Sequence, residues 1–523
     1  MQNIKTILQY DFVPFDFIKK VKWLLTTCIT LTFILFYFMD VVVITDLIAN
    51  ISIVSWLIVA TSRLKILNIL IIFLFSTIMA LEIAYVIENS ERISLVILES
   101  VIDTNIVYGI FVAKIILLIS IPITVLLCFL FIKSVSEIKK FSFKKQIIFA
   151  FILFAISIAD VSSRIHSIYN TFDERGKEDF STIPLIMLAP TMQIFYPFIL
   201  GDSFCLVSYI NEVRKINTNI HHTAWPEGIK LSYTKETPLK IVVILGETAL
   251  RQHFSLYGYE FPTTPNLNNL YKNNEITVFQ NVISGAPITR ESIRLSLSYA
   301  TPHNKNNFYN YKNIVEMAHI ANYETLWFST THETAVYSNY VGMIAKSSNI
   351  FYDSNSHDLL GTEEDLVLPE LLDKHYETGK KQFFVLHMQG SHMDYLERFD
   401  KKDKEALTTT PENTNYDRTI HHTDRVLLKI VDVIRKHDEN TVMIFISDHG
   451  EIINKGHGMV FGGGALQYEI PFITLQNKNK LNIESLIDAY RSNNNILNTI
   501  NLNYILLEII GFDIDNHLIE QSK

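Results

Sequence analysis

Cysteine is almost missing from this chain: its 523 residues include three, Cys28, Cys128 and Cys205. A disulfide framework is therefore excluded for the second half, which must be held by its own core. Positive charge is not in excess either. Lys and Arg number 45 against 54 Asp and Glu, a net charge of −9, and no basic stripe emerges in the second half, which sets nucleic acid aside as a partner. There is no internal repeat and no low-complexity tract. The first apolar run has no small-residue cleavage pattern and is followed by further runs, so it does not read as a removable leader.

What the chain has is hydrophobicity, 48% of its residues, concentrated in the first third. Apolar stretches near Trp23–Phe38, Val41–Ala60, Ile66–Ile87, Ile115–Ile132 and Ile147–Ala159 approach bilayer-crossing length, some only with their flanks included. The second is the weakest, because Asp46 and Asn50 interrupt it; a re-entrant or interfacial segment is the alternative there. Lys5, Lys19, Lys20 and Lys22 precede the first stretch, Arg63 and Lys65 follow the second, and Lys133, Lys139, Lys140, Lys144 and Lys145 separate the last two. Such segments belong in the cytoplasm. An odd number of spans then places everything after about Arg164 outside it. Pro184, Pro190 and Pro197, set among apolar residues, argue against a sixth straight span and for interfacial helices and an elbow. The expected organisation is a five-helix membrane domain over residues 1–163, interfacial helices and linker over 164–237, and an extracytoplasmic domain over 238–523.

From Lys240 onward, short β-branched runs (Ile241–Leu245, Thr277–Ile283, Thr325–Ser329, Gln382–His387, Val442–Ile446) alternate with amphipathic segments such as Leu366–Lys374 and Asp424–Lys436. That order predicts an α/β domain with a mostly parallel sheet covered by helices on both faces. Ligands of such sheets bind beyond the carboxyl ends of the strands, where Glu247 and Asp448 stand. Asp448 and His449 offer a hard oxygen and a borderline nitrogen side by side, with Gly450 free to turn tightly. With Glu247 they suit a cation. For Glu247 alone the alternative is a helix cap, and for the pair it is a structural salt bridge.

Several runs in fixed order carry a family likeness. They are Val242–Thr248 continuing to Phe254–Tyr259, Asn281–Ser284 leading to Thr289 and Ser292, Gly390-Ser391-His392, Tyr416–Ile420 before Thr423-Asp424, and Ser447–Glu451. Together they resemble the bacterial phosphoethanolamine transferases, membrane-anchored members of the alkaline phosphatase and sulfatase superfamily. That family also has five spans before a periplasmic domain, so the resemblance covers nearly the whole chain.

The resemblance implies an alkaline phosphatase/sulfatase-like fold in a multi-pass protein of the bacterial inner membrane. It makes Thr289 a nucleophile held on Zn²⁺ with Glu247, Asp448 and His449, four ligands as a tetrahedral zinc requires, with room for a second ion. A helix N-cap is the alternative role for Thr289. The implied donor is phosphatidylethanolamine and the implied acceptor lipopolysaccharide or a related glycan, either lipid A or a core sugar. His392 and His457 match histidines that bind the phosphate, shuttle a proton or hold a second metal. Glu99, Ser100, Thr104 and Asn105 match a segment near the donor headgroup, although Tyr108 replaces a frequent Glu. His387, His421 and His422 have weaker claims, the last two on a helix whose default is a solvated face. Ser284–Thr289 lacks the cysteines many lipid A-modifying members carry, which points toward the disulfide-free branch acting on core sugars. A glycerol-phosphate polymerase using manganese and an inactive glycolipid-binding module stand as alternatives. A monomer is expected.

Overall fold

The computed structural model describes residues 21–38, 44–89, 114–171, 192, 199–219, 223–232, 234–333, 339–354, 356, 364–408, 414–454, 457 and 464–522. The chain forms two compact units, and the second runs on from Asn217. In the first unit the helices are α1 (Lys22–Tyr37), α2 (Ile44–Thr61), α3 (Lys65–Asn89), α4 (Lys114–Ile138), α5 (Phe143–Thr171) and α6 (Ile199–Asn219). Leu31, Leu35, Val54, Ile72, Phe75, Met79 and Phe131 form a shared core between helices, while Ile69, Phe73, Leu118 and Phe151 are exposed. An apolar exterior of this kind suits lipid rather than water. Buried Glu137 accepts hydrogen bonds from the Trp23 and Leu24 amides, placing a carboxylate at the positive end of α1.

Three helical segments, Lys65–Glu88, Lys114–Ile138 and Phe143–Ser163, are long and apolar enough to cross a membrane. The other two expected spans appear among the described residues as shorter apolar helices, Lys22–Tyr37 and Leu47–Thr61. Among the described residues three helices, rather than five, are clear membrane spans. Pro184, Pro190 and Pro197 of the expected interfacial segment, and all of Glu99–Asn105, lie outside the described residues.

The second unit is built on strands β1 (Ile229–Leu231), β2 (Lys240–Gly246), β3 (Ile276–Phe279), β4 (Val282–Ile283), β5 (Glu324–Ser329), β6 (Ile350–Tyr352), β7 (Gln382–His387), β8 (Thr441–Ser447), β9 (Phe472–Asn477), β10 (Leu497–Asn498) and β11 (Phe512–Ile514). Seven of them form one sheet in the order β3-β9-β8-β2-β7-β5-β6. The pairings from β8 through β6 are parallel, but β9 runs antiparallel to both its neighbours. The sheet is thus mixed rather than mostly parallel.

Every residue of β2, β7 and β8 is buried, as expected of strands covered on both faces. Val242, Ile244, Phe384, Leu386, Met443 and Phe445 share one core with apolar residues of α7 (Pro265–Lys272), α9 (Val367–His375) and α10 (Thr414–His437). The helix α8 (Thr289–Ser296) follows β4.

The α10 helix also pins the chain that leaves β2. Tyr416 hydroxyl accepts from the Leu250 amide and donates to the Thr248 carbonyl, both at 2.8 Å. Asp417 holds His253 at 2.7 Å and Tyr259 at 3.2 Å, and Asp424 receives the Asn266 and Leu267 amides. These side chains are buried, so their partners cannot be replaced by water. Replacing Tyr416 with Phe is expected to destabilise the protein by about 1–3 kcal/mol, because two buried backbone groups lose their partner; thermal denaturation of the detergent-solubilised chain measures it, and an unchanged midpoint would contradict this role.

Candidate metal and nucleophile site

Strands β2 and β8 lie side by side in register, with Gly246 opposite Ser447. Glu247 and Asp448 therefore leave the sheet at the same edge, and the Asp448 amide bonds back to the Gly246 carbonyl at 3.0 Å. The turn after Glu247 is strained: Thr248 has φ 58°, a left-handed conformation costly for a β-branched residue. Two bonds hold it there. Its amide donates to Asp448 Oδ1 at 2.9 Å and its hydroxyl to Glu247 Oε1 at 2.7 Å, so the strained residue orients both carboxylates. On the other side, Gly390 has φ 55°, and a Cβ there would sit 2.6 Å from the Glu247 carbonyl oxygen. Only glycine fits that approach.

Thr289 is the first residue of α8, and the N-cap position belongs to Ile288. The capping alternative is therefore not what its hydroxyl does. Thr289 Oγ1 lies 3.1 and 3.2 Å from the two Glu247 oxygens and 3.2 Å from His449 Nε2. His449 Nε2 is in turn 3.5 Å from Glu247 Oε1 and 3.1 Å from Asp448 Oδ2. The arrangement is braced from behind, where Ser284 and Ser292 each donate to the Asp448 carbonyl at 2.5 Å.

A metal ion fits this donor set. Glu247, Asp448 and His449 place ligand atoms within 4.8 Å of one another. A tetrahedron with metal–ligand distances of about 2.0–2.1 Å has edges of roughly 3.3–3.4 Å, close to the spacings just given. Asp448 Oδ2 is buried with no hydrogen-bond donor, an orphan that a cation would satisfy. His449 Nδ1 lies 2.8 Å from the Gly450 carbonyl, which fixes the proton on that nitrogen and leaves Nε2 free to ligate.

The electrostatics agree. Burial and the charge of Glu247 push Asp448 well above the usual carboxylate range. Burial opposes ionisation of Glu247 as well, but the protonated His387 beside it holds it below its usual value. Burial, with the field of His457, lowers His449 to about 3 and keeps it neutral as a ligand must be. Two carboxylates confined together resist joint ionisation unless a cation joins them.

His392 and His457 gather at the mouth of this group: their rings are 5.9 Å apart, and His457 lies 4.2 Å from the His449 ring. His457 also approaches Glu451 at 3.4 Å.

Two residues beyond the sequence-predicted site join it. His387, at the end of β7, bonds Glu333 through Nδ1 at 2.6 Å and faces Glu247 through Nε2 at 3.8 Å, acting there through charge rather than a hydrogen bond. Burial works against its protonation, yet Glu333 and Glu247 lift it to about 10. Trp327 donates to Glu333 at 3.1 Å. Glu333 follows the end of β5 by four residues, so the strand-end logic that flags Glu247 would have reached it.

His421 and His422 are a correction of another kind. Both are buried, with Nδ1 atoms 2.7 and 2.8 Å from Asp403. Asp400, Asp403 and His422 also meet within 4.8 Å, but Arg425 already donates to both acids and supplies the compensating charge.

A family model described as sulfatase matches residues 240–501. The phosphoethanolamine transferase EptA of Helicobacter pylori is 27% identical over 308 residues, 53% of this chain and 53% of that protein. A putative transferase, YhbX, of Escherichia coli K12 is 31% identical over 212 residues, 40% of this chain and 37% of that protein. The chain spans about half or less of the curated relatives it matches here. The solved structure of the integral membrane lipooligosaccharide phosphoethanolamine transferase A from Neisseria meningitidis aligns with a TM-score of 0.55 at 15% identity, covering 93% of this chain and 95% of that one. Likeness at that identity is one of fold.

Asp448→Asn keeps the acceptor oxygen for the Thr248 and His449 amides but removes the second negative charge. The metal-stripped variant should therefore be at least as stable as the metal-stripped parent, while added divalent cation should raise the melting temperature of the parent alone. Equal stabilisation of both by the cation would rule out Asp448 as a ligand.

Proposed function

We propose, from the premise that the chain belongs to the sulfatase family, that it transfers phosphoethanolamine from phosphatidylethanolamine to a cell-envelope glycolipid or lipopolysaccharide, through Thr289 and a covalent phospho-enzyme. The observation that carries this reading is the hydroxyl of Thr289 within 3.2 Å of both Glu247 and His449. The names of the curated relatives supply the transferred group. In this reading residues 1–163 anchor the protein in the bacterial inner membrane, and residues 238–523 work in the periplasm as a monomer.

Glu247, Asp448, His449 and Thr289 would hold a zinc ion, which when bound lowers the pKa of the hydroxyl and offsets charge on the phosphoryl oxygens. Thr289 Oγ1, its proton released to solvent before the first turnover, attacks phosphorus as the alkoxide. The new Oγ1–P bond forms as the bond from phosphorus to the diacylglycerol oxygen breaks. His392 and His457 stand where one can protonate that leaving oxygen. In the second step the acceptor oxygen attacks the same phosphorus, its proton passes to the histidine that gave one up, and Thr289 departs as the alkoxide. In this reading the positive N-terminal end of α8, which Thr289 begins, favours the anionic phosphoryl group. Glu333 and His387 orient Glu247 from behind.

Thr289→Ala should lower diacylglycerol release from phosphatidylethanolamine vesicles by on the order of 10³-fold or more, with metal content unchanged. Thr289→Ser should retain a measurable fraction and form a phosphoethanolamine adduct detectable by mass spectrometry. Full activity in the alanine variant would eliminate the mechanism.

A further inference from the structure

Beyond the carboxyl end of α8 lies a cavity of about 420 Å³ that the transfer chemistry leaves unused. This is within the range of about 300–1,000 Å³ typical of small-molecule sites. Its walls include Tyr299, Tyr311 and Tyr504. The Tyr299 ring stands at the centre of this aromatic wall, 5.8 Å from Tyr311 and 6.0 Å from Tyr504. Its hydroxyl is buried and has no hydrogen-bond partner. An unmet buried hydroxyl costs about 1–3 kcal/mol, and a ligand oxygen would recover it.

The chemistry of the remaining wall narrows the ligand. Ser298, Thr301, Asn307, Asn498 and Gln521 contribute neutral donors and acceptors, and among the described residues no Asp, Glu, Lys or Arg lines the cavity, His303 being the one basic side chain in its wall. A charged headgroup or phosphate would find no carboxylate, ammonium or guanidinium there among the described residues, only the His303 imidazole. A polyhydroxylated ring would find flat aromatic faces for its C–H edges and amides for its hydroxyls. Burial raises Tyr299 well above its ordinary value, so its hydroxyl keeps the proton it can donate.

Position ties the cavity to the reacting group. Tyr299 follows Thr289 by ten residues along and past α8, on the order of 15 Å at 1.5 Å per residue. Asn498 and Ile500 form another wall and pack on the loop that delivers Thr289: the Gly285 amide donates to Thr499 at 3.0 Å, and a Cβ on Gly285 would meet Ile500 at 2.9 Å.

We propose that this tyrosine-walled cavity binds a neutral sugar ring and is where the glycan of the acceptor docks. The sugar site stands on the cavity itself; its role as an acceptor site rests on the transfer reading.

The test uses the full-length detergent-solubilised protein, with delipidated and dephosphorylated core oligosaccharide and simple methyl hexosides as probes, read by saturation-transfer NMR and calorimetry. Inorganic phosphate serves as the control, and diacylglycerol release without glycan is followed separately. Oligosaccharide should bind the parent, and its Kd should weaken about tenfold in Tyr299→Phe and in Tyr504→Ala, with diacylglycerol release unchanged in both. Tyr299→Phe removes only a hydroxyl that bonds nothing in the protein, so it should fold normally; Tyr504→Ala, at a half-buried position, provides an independent variant. Absence of oligosaccharide binding to the parent, or equal binding by the parent and both variants, would overturn the sugar site. Sugar binding that those variants lose would uphold it even if the parent released no diacylglycerol, an outcome that would sink the transfer reading instead.

Discussion

Two carboxylates that cannot both be charged without help occupy one buried spot, and the catalytic unit is arranged around that constraint. Glu247 and Asp448 reach it because their strands are parallel neighbours in register. His449 arrives as the next residue, and Thr289 arrives as the first residue of a helix from a different part of the chain. A cation bound there would resolve the repulsion, and in the proposed reading it would hold the Thr289 hydroxyl as well. Stability and reactivity would then depend on the same charge.

The surrounding structure keeps these groups from relaxing apart. Thr248 accepts a left-handed backbone in exchange for bonds to both acids. Gly390 lets the chain after β7 pass against Glu247. Tyr416, Asp417 and Asp424 use α10 to tie down the segment leaving β2. Tyr416, Asp417 and Asp424, which read as family signatures, thus fix the course of the chain beyond Glu247.

The two units face different solvents, and their surfaces differ accordingly. The helices of the first leave large apolar side chains exposed, whereas the second buries the central strands of a mixed sheet. The proposed lipid donor and carbohydrate acceptor would make opposite demands of a protein surface. The tyrosine-walled cavity lies in the second unit, beyond the end of the helix that begins with Thr289.

Hydropathy placed the apolar helices, and β-branched runs located β2, β5, β7 and β8 almost to the residue, because both signals are local and periodic. Glu247, Asp448 and His449 were legible for the same reason, since each stands where a recognisable strand stops. Thr289 needed the family likeness, because a threonine beginning a helix looks like a cap until its partner is seen. What the sequence could not convey was anything decided by pairing between distant segments. The reversed direction of β9 is one such feature, and the burial of His421 and His422 on Asp403 is another. The Glu333–His387 pair behind the metal site and the cavity walled by Tyr299, Tyr311 and Tyr504 complete the set. Periodicity reports which face of an element is apolar, whereas partners separated by tens or hundreds of residues are chosen only when the sheet closes and its layers pack.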